Sequence, residues 1–342
     1  MPAMPLIEVE GISKTFRSGV LRRAKTALHG LDLSVQEGEI YGFLGPNGAG
    51  KTTSIKILLG LIRANSGRGT VLGQPFGSIE ARAGLGYLPD LPYFYSYLTG
   101  RELLRFSGKL HDLHGQELEQ RIEATFERVY LYPEAWDRRL GTYSRGMLQR
   151  IGTAAAILHR PKLLILDEPM TGLDPIGRRQ FRDLLNELRE EGVTIFFSTH
   201  HLADIEQVAD RVGLLAEGRL IQCGSLDQIL SGGKRTVEVC VEIPSGALLS
   251  DFTDNAEGWH AHGREHRWIA PDLESANDMA SRILDAGGRL ISFTPHRESL
   301  EDYFVREVTS TIKVAGRKKR ALEPEPASPS QRSHRSRQEV HS

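Results

Sequence analysis

One stretch constrains this chain more than any other: Gly45-Pro46-Asn47-Gly48-Ala49-Gly50-Lys51-Thr52. It fits the phosphate-binding pattern GxxxxGK[ST], which requires a strand before it and a helix after it. Glu39 to Leu44 reads as an apolar strand, and Thr52 to Ile62 reads as a helix with Ile55, Leu58, Leu59 and Ile62 on one face. The glycines let backbone N–H groups close around phosphate oxygens. Lys51 supplies charge to the β and γ phosphates, and the Thr52 hydroxyl can bind Mg²⁺. A plain glycine-rich turn does not account for strand, lysine and threonine together. Gly45 to Thr53 are therefore the candidate nucleotide-binding residues.

A second apolar strand, Leu163 to Leu166, ends in Asp167 and Glu168, and a third runs from Val193 to Ser198. The helix between them, Pro175 to Glu190, carries Phe181, Leu184, Leu185 and Leu188 on one face. Strand, helix, strand with apolar strands predicts a parallel α/β sheet. Ligands gather at the carboxyl ends of such strands. Asp167 there would hold Mg²⁺, directly or through water, and Glu168 would act as general base on an attacking water.

The rest of the chain divides around this core. Ile7 to Val9 and Leu31 to Val35 alternate like strands of a partly exposed sheet, and Gly84 to Leu88 reads as another strand. From Thr99 to about Arg160 the pattern is mostly helical, with Thr99 and Glu102 spaced for a capping box. Glu217-Gly218 marks a hairpin turn. Composition shifts around Ser231 to Lys234. Beyond it, Thr236 to Ile243 alternates strictly, a hairpin turn fits Gly263-Arg264, and Leu273, Ala276, Ala280, Ile283 and Leu284 form a helical stripe. Three parts result: residues 1–230, with a helical subdomain at about 91–160; a small α+β domain at 231–312; and a basic tail at 313–342 with the composition of disorder.

Composition narrows the partners. A formal net charge of -1 gives no global field for nucleic acid. Cys223 and Cys240 lie far apart without CxxC pairing, which suits a reducing cytoplasm. No apolar run approaches the roughly 20 residues that span a bilayer, so any membrane role has to come through a partner. His260, His262 and His266 cluster on the second hairpin, either as a metal site or as a solvated turn, the commoner outcome. Arg317-Lys318-Lys319-Arg320 in the tail reads as a solvated charge run, with contact to anionic lipid as the alternative.

Tyr143-Ser144-Arg145-Gly146-Met147, followed by Leu148-Gln149-Arg150, resembles the signature motif of ABC ATPases. It departs from the commonest form, Leu-Ser-Gly-Gly-Gln, in the manner of exporters of the ABC-2 class. The resemblance extends from about Leu6 to about Leu230 and rests on several motifs in order. It implies a P-loop NTPase sheet core with an inserted helical subdomain and roles at matching positions. Phe16 corresponds to the aromatic that stacks on adenine. Ser144 and Gly146 correspond to the groups that approach the γ-phosphate across a dimer interface. Met170-Thr171-Gly172-Leu173-Asp174 corresponds to the loop that crosses that interface, so Asp174 joins the candidate set. His200, after Ser198-Thr199, resembles the switch histidine, with His201 as its neighbouring competitor.

One position departs. Gly86-Tyr87-Leu88-Pro89-Asp90 matches the loop where the family usually carries glutamine, and here Asp90 stands in that place as a metal-side contact. Glu298-Ser299-Leu300-Glu301-Asp302-Tyr303-Phe304 resembles a segment near the end of the small C-terminal extension of ABC-2 exporter ATPases. The resemblance implies an ATP-hydrolysing subunit that binds ATP and Mg²⁺, dimerises on ATP, and drives a separate permease from the cytoplasmic face of the membrane. A soluble ABC ATPase, such as a ribosome-associated factor or a DNA-repair machine, is the rival class. Such proteins carry two cassettes, long coiled coils or zinc modules, whereas this chain has one phosphate loop and a short gap from Lys51 to Asp167.

Overall fold

A computed structural model describes residues 5–18, 23–231, 235–243, 260–262 and 265–297. Its centre is a six-stranded sheet in the order β10-β9-β3-β8-β7-β6. The strands are β3 (Ile40–Leu44), β6 (Leu85–Leu88), β7 (Leu163–Asp167), β8 (Thr194–Thr199), β9 (Arg211–Ala216) and β10 (Arg219–Ser225). All neighbours are parallel except β9 and β10, which pair as a hairpin across Glu217-Gly218.

The apolar runs in these strands follow from burial on both faces. Ile40, Leu44, Leu164, Leu166, Ile195 and Phe197 belong to one core, together with residues of the helices described below. The alternate residues Tyr41, Phe43, Leu163, Ile165 and Phe196 belong to a second core on the opposite face. There Phe196 stacks on Tyr41, with ring centroids 5.7 Å apart.

The second core is closed by helix α1 (Lys51–Leu58) and by an antiparallel sheet in the order β2-β1-β4-β5. Its strands are β1 (Pro5–Ser18), β2 (Arg23–Gln36), β4 (Ser66–Val71) and β5 (Gln74–Pro75). Two features depart from the sequence reading. β4 and β5 are absent from it, because Ser66–Val71 is glycine-interrupted and mostly exposed. Helix α1 also stops at Leu58 rather than Ile62. Gly60 takes a left-handed φ of 68° and the chain folds back, with Leu61 N–H donating to Lys56 O at 2.8 Å. A side chain at Gly60 would collide with the backbone of Gly77, so the two chains touch there.

On the first face lie α3 (Gly100–Leu110), α4 (Gly115–Arg128), α5 (Pro133–Trp136), α6 (Arg145–Ile157) and α7 (Pro175–Glu190), with the short α2 (Ile79–Ala83), α8 (Leu202–Glu206) and α9 (Leu226–Ser231) elsewhere along the chain. The capping box of α3 forms in both directions: Glu102 N–H donates to Thr99 Oγ1 at 3.2 Å, and Thr99 N–H to Glu102 Oε2 at 2.8 Å. Helix α6 starts at Arg145, directly after Ser144, whose Oγ accepts from Met147 N–H at 3.3 Å and caps the helix.

A third core contains only residues from 237 to 283 and partly buried neighbours at 290 and 293. It joins helix α10 (Leu273–Asp285) to an antiparallel sheet, β12-β13-β11-β14. The strands are β11 (Arg235–Glu242), β12 (His260–His262), β13 (Glu265–Ala270) and β14 (Arg289–Arg297). Val237, Val239 and Val241, alternate residues of one strand face, pack with Ala276, Ala280 and Ile283 of the helix. His260 is exposed on β12, and no group of three or more His, Cys, Asp or Glu side chains among the described residues is placed to hold a metal. The Gly263-Arg264 turn, Glu298–Phe304 and the tail from residue 313 lie outside the described residues.

Candidate functional site

Four loops leave the carboxyl ends of neighbouring parallel strands along one edge of the central sheet. Register aligns them: Leu44 pairs with Thr199, Asp167 with Ser198, and Leu88 with Leu166. The loop after β3 is the phosphate-binding sequence. Asp90 follows β6, Glu168 follows β7, and His200 follows β8.

The phosphate loop is shaped by two contacts. Gly45 packs so closely on β9 that a Cβ would lie 2.4 Å from Leu215 O. Gly50 caps α1 with φ of 114°, and a Cβ there would meet Ala27 O at 2.7 Å. Any larger residue at either place would push the loop off the sheet edge. Helix α1 then presents its amino end, with its macrodipole, to the cleft above the loop. That cleft is lined by Pro46, Asn47, Gly48, Gly50, Lys51, Thr52 and Thr53, together with Phe16, Asp90 and Glu168. Gly45 and Ala49 are buried and face the protein instead.

Lys51 is buried, and its Nζ donates to Gly45 O at 2.6 Å and lies 3.2 Å from Glu168 Oε1. Glu168 holds a left-handed backbone with φ of 50°, rare for such a residue. It is fixed there by its N–H, which reaches both the carbonyl and the hydroxyl oxygen of Ser198 at 3.1 Å. Its other carboxylate oxygen, Oε2, lies 2.8 Å from His200 Nδ1. The carboxylate is thereby clamped between a lysine and a histidine at the mouth of the cleft. The His201 ring lies beside that of His200, tilted by 37° with centroids 4.0 Å apart, and its backbone N–H donates to Thr199 Oγ1.

Asp167 is buried and accepts from Ser198 Oγ at 2.6 Å. Burial pushes its carboxyl above the usual range, and hydrogen bonds from Ser198 and Thr52 pull the other way. The charges of Asp90 and Glu168 raise it further. Asp167 and the Thr52 hydroxyl thus supply hard oxygen donors at this edge, and the negative charges of Asp90 and Glu168 reach them. No three carboxylates among the described residues form a cage, and Mg²⁺ held by one or two protein oxygens together with phosphate and water needs none. The residues fit Mg²⁺.

Sequence reasoning missed three contributors. Lys25 and Ala27 also line the cleft. They arrive through the β1–β2 pairing, where Lys25 stands opposite Phe16, and only that long-range register reveals them. Phe16 is 41% exposed and presents a ring face toward which Lys14 Nζ reaches at 5.2 Å from the centroid. Ser198 is the third: it orients both Asp167 and Glu168, and its place directly before Thr199-His200 was the signal available.

Ser144, Gly146 and Asp174 are not among the residues that line this cleft. Ser144 and Asp174 are exposed N-caps of α6 and α7, and Asp174 Oδ1 accepts from Gly177 N–H at 2.6 Å. Gly146 faces the crossing loop, where a Cβ would lie 3.5 Å from Gly172 O. The candidate residues therefore fall into two groups, one lining the cleft and one outside it.

Replacing Lys51 by Ala is expected to weaken ATP binding by about ten- to a hundredfold, the worth of charge-assisted hydrogen bonds to phosphate. Calorimetry with ATP measures this directly. Unchanged affinity would remove Lys51 from the site.

Comparison with known proteins matches residues 28–171 to the family model described as ABC transporter. An uncharacterized ABC transporter ATP-binding protein of Synechocystis is 43% identical over 309 residues, covering 89% of this chain and 84% of that protein. The bacitracin transport ATP-binding protein BcrA of Bacillus licheniformis is 36% identical over 280 residues, 81% of this chain and 90% of its own length. A solved structure of an ATP-binding subunit of an ABC transporter superposes with a TM-score of 0.60 at 30% identity, over 66% of this chain and 92% of that one.

Proposed function

The chain belongs to the family of ABC transporter ATP-binding proteins, and from that premise we propose that two copies close around ATP and Mg²⁺ to power export through a separate membrane permease. The chain is an ATP-hydrolysing subunit.

The observation that carries the reading is the separation of the site into two groups. Phe16 and Gly45 to Thr53 hold the adenine and phosphates on one copy. Ser144 and Asp174, both exposed, and the half-buried Gly146 lie outside that cleft and have no role toward the nucleotide of their own copy. In a head-to-tail dimer they complete the cleft of the partner. ATP then acts as the adhesive between copies, and its hydrolysis separates them, which gives a two-state element able to rock a permease.

Within each cleft, Lys51 neutralises the β and γ phosphates. Thr52 and Asp167 would hold Mg²⁺, with Asp90 as a further contact, and the ion would supply neutralisation of the phosphate charge. Glu168 takes the proton of the attacking water, and His200, already 2.8 Å from it, holds that carboxylate and the γ-phosphate in line. Catalysis of this kind is positioning plus charge neutralisation.

Export is favoured by the form of Tyr143–Met147 and by the bacitracin transport relative. Among the described residues no helix is long and apolar enough to cross a membrane, which is consistent with a transport path on another chain. We divide the chain at about residue 230, with the separate third core as a C-terminal α+β domain, and place the assembly on the cytoplasmic face through the permease.

The test is reconstitution. A six-helix membrane protein encoded beside this chain is co-expressed with it, purified and placed in vesicles with ATP outside. Copurification, ATP-dependent transport and stimulated hydrolysis are expected. ATPase activity that no membrane partner binds or stimulates would sink the transport assignment and return the soluble ABC machines.

A further inference from the structure

Of the residues in this chain that depart from the family's commonest motifs, two are charged: Arg145 within the signature and Asp90 in the loop after β6. They lie 55 positions apart in sequence, yet the fold sets them opposite each other, with Arg145 Nη2 4.0 Å from Asp90 Oδ1. A cation and an anion thus stand where the commonest motifs place glycine and glutamine, both uncharged.

Arg145 is anchored at its stem, while its side chain as a whole is half exposed. It is the first residue of α6, directly after the cap formed by Ser144. Its stem lies across the crossing loop: a Cβ on Gly172 would stand 2.7 Å from Arg145 Cδ and 2.9 Å from Cγ. Gly172 also has φ of 84°, so the loop is shaped to let the arginine pass. Asp90, at the other end of the contact, lines the nucleotide cleft and lies near enough to Asp167 to raise its pKa. One side chain therefore touches the signature helix, the crossing loop and the acidic edge of the cleft.

We propose that Arg145 is a positioning residue, the counter-charge of Asp90, and that it competes with Mg²⁺ for that carboxylate. When the nucleotide brings the divalent cation to the edge, Asp90 is drawn toward it and Arg145 is released. Because its stem rests on Gly172, release is felt by the crossing loop and by the first turn of α6, the two elements that meet a second copy. Arrival of the metal in one cleft is thereby coupled to the surface that closes the other. The proposal rests on the metal-side reading of Asp90 given above.

The experiment is a Mg²⁺ titration of fluorescent ATP analogue binding to the full-length chain, a readout independent of turnover. Arg145→Gln frees Asp90, and the Mg²⁺ midpoint is expected to fall about threefold, the size of one half-exposed ion pair. Arg145→Lys, which keeps the charge, restores most of the wild-type midpoint. On an Asp90→Asn background the same Arg145→Gln change has no further effect, and in about 0.5 M salt the shift shrinks in the native background too. An equal shift with and without Asp90, or none in either, overturns the proposal alone. A wild-type midpoint that Asp90→Asn leaves unmoved removes Asp90 from the metal side, and the proposal falls with it.

Discussion

Glu168→Gln is expected to lower steady-state ATP hydrolysis by at least about a hundredfold while leaving ATP binding intact. Removal of a general base costs roughly 10²–10⁴ in rate. The substitution keeps the side-chain volume, so the contact of 2.8 Å with His200 survives as an amide hydrogen bond. What it loses is the charge that stands 3.2 Å from Lys51 Nζ. That lysine then faces the phosphates without an internal competitor, and ATP affinity should hold or rise. The bound, unhydrolysed nucleotide would trap the closed pair of copies. Gel filtration of the variant with Mg·ATP is expected to show a dimer that the wild type does not accumulate. Turnover at the wild-type rate would remove Glu168 from the reaction.

Ser144→Arg should break the cycle at a different step. Ser144 is exposed and outside the nucleotide cleft of its own copy, so ATP binding by the monomer is expected to match wild type. Losing the cap on Met147 N–H costs about 1 kcal/mol of helix stability, which a domain with this buried core tolerates. The larger effect is at the closing surface. A second arginine beside Arg145 puts bulk and like charge where two copies meet, and such a mismatch costs several kcal/mol. Hydrolysis is expected to fall at least about a hundredfold, and Ser144→Arg on the Glu168→Gln background should elute as a monomer with Mg·ATP. Equal hydrolysis by Ser144→Arg and wild type would defeat the composite site.

The site was legible to the extent that its chemistry is local. Gly45 to Thr53 and Asp167-Glu168 are spelled out in consecutive residues, because a loop between a strand and a helix is a short-range structure. Helix α7 was legible for the same reason: Pro175 and the spacing of Phe181, Leu184, Leu185 and Leu188 all lie within it. Lys25 was not, since its place in the cleft depends on pairing with a strand that passes Phe16. Nor was the meeting of Asp90 with Arg145, which requires the helical insertion to fold back on the sheet edge. The early end of α1 was hidden for a similar reason: Gly60 stops it by touching Gly77, a contact no periodicity contains.

The strands that carry the acids and the phosphate loop are sealed on both faces, while Gly45, Glu168 and His200 of the candidate site begin one position past their ends. Amide hydrogen exchange should therefore draw a sharp line across this edge. Leu164 to Leu166 and Ile195 to Phe197, wholly buried and paired on both sides, would open only with the whole domain and keep their protons longest. Asn47 and Gly48, exposed on the loop a few residues from an equally buried strand, would exchange early. Nucleotide would then slow the loop by orders of magnitude and leave the strands almost unchanged, because their protection is already set by global unfolding. The molecule would register ATP as a change in local lifetime, confined to the rim of a sheet that does not itself respond.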